Sequence, residues 1–322
     1  MSHQTNAQTE VFAAQFNLLL GNIERVVKGK RDHIAMTLVC IFAEGHLLIE
    51  DVPGTGKTVL AKALATSIGG DWSRIQFTPD LLPSDVTGGL VYNQSDGRFD
   101  LHRGPVFNNV VLADEINRAS PKTQSALLEV MAERQVTIGN ETHPAPRPFV
   151  VLATQNPVEQ AGTYRLPEAQ LDRFLMRTSL GYPDEEAEIN VLRSAGQGLT
   201  ELRPVLSAGG IRHMISVAET VHVDDRIHRY IVALARATRA MPQLRLGVST
   251  RGSLALLRAS RSLAASQGRN FVKADDVKTV APFVIAHRLL LTPEAELARL
   301  SQAELVLQVL HQVEVPRLAQ AG

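Results

Sequence analysis

The chain has 322 residues, 44% of them apolar, with 33 Lys+Arg against 33 Asp+Glu. That length can bury a large core and suggests two domains, while the balanced charge removes any global pull toward nucleic acid or an anionic membrane and leaves only local basic surfaces. Cys40 is the only thiol, so no internal disulfide forms, which fits a reducing cytoplasm, and no apolar run is long enough to span a bilayer or open a secretion signal.

Residues 1–8 are polar and read as a loose N-terminus. Val11, Phe12, Phe16, Leu18, Leu19 and Ile23 give a first amphipathic helix, and a second is expected over Asp32 to Phe42, which would bury Cys40. The apolar turn Val26-Val27 between them has two readings, a cover for a purine base or plain core packing.

The stretch Ile49 to Leu60, I-E-D-V-P-G-T-G-K-T-V-L, is the most informative in the chain. An apolar strand (Leu47, Leu48, Ile49) runs into a Pro/Gly turn and emerges as a helical pattern. Strand, glycine loop and helix in that order make a phosphate cradle, because glycines let successive N–H groups turn inward and the helix adds its positive end. Pro53, Gly54, Thr55, Gly56, Lys57, Thr58 and Val59 would hold the phosphates of ATP, Lys57 reaching the β- and γ-groups and the Thr58 hydroxyl ligating Mg²⁺. The usual pattern places glycine at the first loop position, where this chain has Asp51.

Ser73 to Phe77 reads as a strand, and Gly89 to Asp100 as a hairpin around Asn93-Gln94-Ser95-Asp96-Gly97, exposed and suited to partner contact or pore lining. Asn109 to Ala113 is a continuous apolar strand of the doubly buried parallel type, and it ends in Asp114-Glu115. Carboxylates at the carboxyl end of such a strand lie where open α/β sheets bind ligands. Behind a phosphate loop, Asp114 would hold the Mg²⁺ shell and Glu115 would polarise the attacking water.

A helix with Pro121 at its start and a second hairpin around Gly139-Asn140 follow. Phe149 to Thr154 is another buried strand, tipped by Asn156, whose amide either orients water or caps the turn before a proline. A short helix over Leu166 to Phe174 carries Arg173, and a strand over Leu175 to Leu180 closes the domain. From about Glu185 the strands stop and helices take over: Ile211 to Val221, Asp225 to Ala240, Thr250 to Ser266, Ala274 to Ala286, and Glu294 to Val313. The arginine-rich stretch between Arg203 and Arg269 fits a basic lid over a nucleotide and equally a solvated surface. Within it, Ser249-Thr250-Arg251-Gly252 places Arg251 in a first helical turn, where it could meet a phosphate.

In this order, D-V-P-G-T-G-K-T, V-V-L-A-D-E-I-N-R-A, V-L-A-T-Q-N-P, L-P-E-A-Q-L-D-R-F and G-V-S-T-R-G closely resemble the MoxR family of AAA+ ATPases. The resemblance implies an α/β fold: an αβα nucleotide domain with a parallel five-stranded sheet over residues 9–183, a linker at 184–205, and an all-helical lid at 206–322. By matching position, Asn156 is similar to sensor 1, Arg173 to the arginine finger given to a neighbouring subunit, with Arg177 as runner-up, and Arg251 to sensor 2. It implies a homo-oligomeric ring, usually a hexamer, acting on a client protein by chaperone-like remodelling or metal-cofactor maturation, often with a von Willebrand factor A domain partner. A DNA-translocating motor is the alternative function and would bind single strands with a steep salt dependence; a nucleotide-gated scaffold and a small-molecule kinase fit less well, since the hydrolytic residues are present and no acceptor site is nominated.

Overall fold

The computed structural model describes residues 2–156, 163–194 and 202–316. Expectations placed on Met1, Pro157, the helix break across 196–201 and the tail 317–322 lie outside the described residues.

Helices α1 (Ser2–Glu24) and α2 (Arg31–Phe42) lead into β1 (Leu47–Glu50), α3 (Lys57–Ser67) and β2 (Trp72–Gln76). A short α4 (Pro83–Thr87) precedes the hairpin β3 (Gly88–Asn93) and β4 (Arg98–Arg103). Then come β5 (Val110–Asp114), α5 (Pro121–Glu133), the hairpin β6 (Gln135–Ile138) and β7 (Glu141–Pro144), β8 (Val150–Gln155), α6 (Glu168–Leu171), β9 (Met176–Thr178) and α7 (Glu185–Ser194). The C-terminal part holds α8 (Ala208–Thr220), α9 (Asp225–Ala240), β10 (Leu244–Leu246), α10 (Thr250–Ser266), α11 (Ala274–Ile285), β11 (Leu290–Leu291), α12 (Pro293–Leu297) and α13 (Gln302–Gln312).

Five parallel strands form the central sheet in the order β2-β5-β8-β1-β9. The apolar runs of β1, β5 and β8 follow from burial on both faces. Val110, Leu112, Val150 and Leu152 join the core on one side, and Val111, Ala113, Val151 and Ala153 the core on the other. Both expected hairpins form, and the β3–β4 hairpin leaves Leu90, Val91, Tyr92 and Phe99 in solvent, with the Tyr92 and Phe99 rings 5.3 Å apart.

Four expectations change. Helix α1 begins at Ser2, so residues 2–8 are helical where the polar composition suggested a loose end; Thr9, one residue on, is fully buried and its hydroxyl donates to the Gly268 carbonyl at 3.2 Å, which gives the helix something to dock on. Val11 and Leu18, counted toward the apolar face of α1, are exposed, since the buried stripe runs through Phe12, Phe16, Leu19, Leu20 and Ile23. The last helix is two, α12 and α13, because Arg299 turns left-handed at φ 55° and Ser301 caps a new start by accepting from Glu304 N. The C-terminal part also contains a small ribbon, β10 paired antiparallel with β11, which the helical periodicity hid.

The C-terminal helices do not lie over the phosphate loop. They share one continuous core with α1, α2, α3 and one face of the sheet. Polar ties fasten the same seam: Ser262 Oγ donates to Val39 O at 2.9 Å, and Arg258 donates to the carbonyls of Ala43 and Glu44 that close α2. Burial lowers the Arg258 pKa, and the Arg134 charge nearby adds to it.

Candidate active site

At the carboxyl end of the sheet a cleft of about 390 Å³ gathers the phosphate loop and the tips of β5 and β8. Local sequence explains the loop. Gly54 and Gly56 both take positive φ, at 84° and 90°, and no atom lies within 4 Å of the position a Cβ would occupy, so it is backbone conformation rather than crowding that calls for glycine. Gly56 is the N-cap of α3 and Lys57 its first residue, which points the positive end of that helix into the cleft. Lys57 Nζ donates to Val52 O at 2.8 Å, held inside its own loop.

Asp51 fills the usual glycine position for a tertiary reason. Its carboxylate Oδ2 accepts from Leu180 N at 2.7 Å and Gly181 N at 3.0 Å. The first loop residue is thereby tied to the segment that leaves β9, and Asp51 is buried, with 6% of its surface exposed.

Asp114 and Glu115 sit at the end of β5. Asp114 Oδ1 accepts from the Thr154 hydroxyl at 2.6 Å, and Oδ2 pairs with Arg74 at 2.6 Å. Glu115 is left-handed at φ 56°, a conformation that costs a non-glycine residue about 1–3 kcal/mol and is concentrated at functional sites. Its backbone N–H donates to Thr154 Oγ1 at 2.8 Å, while Oε2 accepts from Gln76 Nε2 at 2.8 Å and Arg118 at 2.9 Å. Thr58, Asp114 and their surroundings offer a hydroxyl, one carboxylate and open space, the sparse hard-oxygen set that suits a Mg²⁺ keeping most of its waters and phosphate ligands. Among the described residues no cluster of three or more His, Cys, Asp or Glu could hold a metal without such help.

Pro53, Gly54, Thr55, Gly56, Lys57, Thr58, Val59, Asp114, Glu115 and Asn156 all line this one cleft. Asn156 is buried at the β8 tip. Three expected residues do not. Val27 belongs to the hydrophobic core with 6% of its surface exposed, which favours the packing reading over the purine one. Arg173 follows α6, outside the cleft, with Nη1 on the Leu128 carbonyl at 2.6 Å. Arg251 is exposed in the first turn of α10, also outside it, so the lid lies behind the sheet rather than over the cleft. Arg177, the runner-up finger, pairs with Glu50 at 3.0 Å within the sheet.

Arg74, Gln76 and Thr154 were not anticipated. The alternation Arg74-Ile75-Gln76 puts two polar side chains on one face of β2, and the parallel pairing sets Gln76 opposite Asp114. The alternation was visible in the sequence; the neighbouring strand was not.

Arg173 and Arg251 are linked through Asp172. Ser249 Oγ, the N-cap of α10, donates to Asp172 Oδ2 at 3.0 Å, and Arg288 Nε donates to Asp172 Oδ1 at 2.7 Å. Burial lowers the Arg288 pKa against the opposing pull of Asp172, and burial drives that of adjacent His287 well below its ordinary value.

The comparisons agree with this geometry. Residues 46–176 match the ATPase family associated with various cellular activities (AAA), and residues 236–308 match an AAA lid domain. YeaC of Bacillus subtilis is 48% identical over 297 residues, covering 92% of this chain and 93% of its own. Chaperone MoxR1 of Mycobacterium tuberculosis is 42% identical over 305 residues, covering 92% and 81%. A crystallised Cytophaga hutchinsonii protein assigned as an ATPase superposes with a TM-score of 0.91 at 38% identity, covering 98% of this chain and 99% of that one. With a phosphate loop, a β5 carboxylate pair and a C-terminal helical domain all in their expected order, the chain belongs to the MoxR family of AAA+ ATPases.

Proposed function

We propose that the protein is a Mg²⁺-dependent ATPase that works as a ring of identical subunits, with each nucleotide completed by a neighbour, and that it remodels a client protein. The observation that carries this reading is the split among its polar and charged residues. Lys57, Asp114, Glu115 and Asn156 share one cleft, whereas Arg173 and Arg251 lie on a different surface of the same subunit.

In this reading the N–H groups of the phosphate loop and the end of α3 receive the triphosphate, and Lys57 exchanges the Val52 carbonyl for phosphate oxygens. Thr58 and Asp114 would hold a Mg²⁺, which would supply neutralisation of phosphate charge. Asp114 is kept in place by Thr154, and Arg74 balances its charge. Glu115 turns its carboxylate from Gln76 and Arg118 toward water and takes a proton as that water attacks, with the Asn156 amide orienting it. Arg173, joined by Arg251, meets the γ-phosphate of the adjacent subunit; a finger of this kind is worth about 10³ to 10⁵ in rate. The mycobacterial relative's name, a chaperone, supports a protein client, for which the exposed Tyr92–Phe99 hairpin is the natural contact.

The test mixes two inactive proteins. Arg173→Ala and Glu115→Gln subunits should each bind ATP without turning it over, and mixed rings should recover part of the activity at interfaces where an intact Arg173 faces an intact Glu115. An Arg173→Ala protein that hydrolyses ATP at the wild-type rate, or mixtures inert at every ratio, would remove the finger acting in trans.

A further inference from the structure

We infer that Arg288 is a positioning residue for the catalytic face, fastening the segment that carries Arg173 to the helix turn that carries Arg251. This rests on the reading that both arginines act on a neighbouring subunit's nucleotide.

Arg288 is almost fully enclosed, with 3% of its side chain exposed; Nη1 bonds Val284 O and meets His287 Nε2 at 2.8 Å, and the other bonds of its guanidinium fall on one short stretch of chain. Nε donates to Asp172 Oδ1 at 2.7 Å, Nη2 to Phe174 O at 2.6 Å and to Asp172 O at 3.3 Å, and Nη1 to Leu175 O at 3.2 Å. Those acceptors flank Arg173 on both sides. The other oxygen of Asp172 accepts from Ser249, the cap of α10, two residues before Arg251. The stem of Arg288 runs beneath that same turn: a Cβ added at Gly252 would stand 2.9 Å from Arg288 Cδ and 2.7 Å from Val248 Cγ1. Gly252 therefore has no room for a side chain, with Val248 and the Arg288 stem both against it, which accounts for the last residue of G-V-S-T-R-G.

Stability alone does not call for this arrangement. Replacing a buried ion pair by well-packed apolar side chains is often neutral or stabilising. A planar fork, by contrast, fixes direction: one guanidinium holds a carboxylate and several carbonyls at set angles, which an ammonium cannot do. The consequence is that Arg173 and Arg251 are presented to the neighbour as one unit.

The test uses the full chain with Arg288→Lys, which keeps the charge and loses the fork. A displacement of about 1 Å at a reacting group costs on the order of 10²-fold, so kcat should fall by about that much. KM for ATP should stay within about twofold, because the cleft is built elsewhere. Mixing with Glu115→Gln subunits should restore turnover, since their intact faces then meet intact pockets. Arg173→Ala mixed with the same partner is run beside it. If Arg173→Ala is not rescued, the reading in trans fails. If it is rescued while Arg288→Lys either keeps its kcat or loses activity that mixing does not return, the positioning role alone is overturned. Gly252→Ala, which crowds Val248 and the Arg288 stem without touching the charge, is judged by the same two criteria should Arg288→Lys yield no folded protein.

Discussion

The cleft and the Asp172 node are both held by charged side chains, yet they are put together in opposite ways. The cleft comes from a nine-residue window, 51–59, and from the tips of strands that the sheet sets side by side. Its groups remain within hydrogen-bonding reach of solvent, as Arg74 does with 46% of its side chain exposed. The node is drawn from positions 77 and 116 residues apart and is closed to water around Arg288. In the proposed reading, the cleft that admits and releases a nucleotide stays open around one local loop, whereas the node behind the two arginines is closed and drawn only from distant parts of the chain.

The largest effect that would sharpen this contrast is Glu115→Gln. Loss of a positioned base should lower kcat by about 10² to 10⁴ while ATP binding, read by fluorescence of a nucleotide analogue, is unchanged. A variant that also loses affinity would mean that Glu115 belongs to binding and not to the chemistry.

Next in size is Asp51→Gly, which restores the usual loop pattern while removing the acceptor for Leu180 N and Gly181 N. Hydrogen bonds to a charged group are worth about 1.5–3 kcal/mol, so the variant should be less stable by that order in denaturant titration. If the protein becomes more stable, the cleft is as local as its motif suggests and the tie to β9 is idle.

Gly56→Ala probes the cradle itself. At φ 90° the added Cβ meets no neighbour but sits in left-handed backbone, costing about 1–2 kcal/mol, and the loop relaxes away from the conformation that turns its N–H groups inward. Phosphate affinity should fall more than the melting temperature does; the reverse result would make Gly56 a folding residue.

Near neutral pH the smallest effect is the response to acid. His46 is fully buried beneath the sheet, its Nδ1 accepting from Val151 N at 3.0 Å, and burial lowers its pKa from 6.5 to about 3, with the Arg134 charge adding to it. Between those values the unfolded chain binds a proton that the folded chain refuses. Stability is therefore complete above pH 6.5 and declines as pH falls toward 3, by about 1.4 kcal/mol per pH unit from this group. His287, also lowered by burial, acts in the same sense behind the Asp172 node. His46→Gln should flatten the acid limb of the stability curve, and an unchanged slope would assign acid sensitivity elsewhere.

The phosphate loop was legible because its conformational demand is local: Gly54 and Gly56 adopt positive φ for reasons contained in a few residues of backbone. The strands were legible because double burial writes itself as unbroken apolar runs, and Asp114-Glu115 followed from where such a strand ends. The exposed hairpin at Tyr92 and Phe99 was marked by turn residues flanked by the short alternation of Leu90 and Tyr92 and of Phe99 and Leu101. Arg299, where the last helix breaks, gave no such mark, since arginine is an ordinary helix former; the readable sign was the capping box of Ser301 and Glu304, which the longer helical pattern covered.

What the residues determined unaided was therefore most of the order of elements, the phosphate loop and the cleft groups at positions 53–59, 114, 115 and 156, but not Arg74, Gln76 or Thr154. Tertiary structure alone decided that the C-terminal helices pack behind the sheet, that Asp51 anchors to Leu180 and Gly181, and that Arg288 joins Arg173 to Arg251 through Asp172. The physical reason is the range of the forces involved. Backbone torsion and periodic burial act over a few neighbours and leave a trace in the sequence, whereas a buried guanidinium finds partners more than a hundred residues away only once the whole core has closed around it.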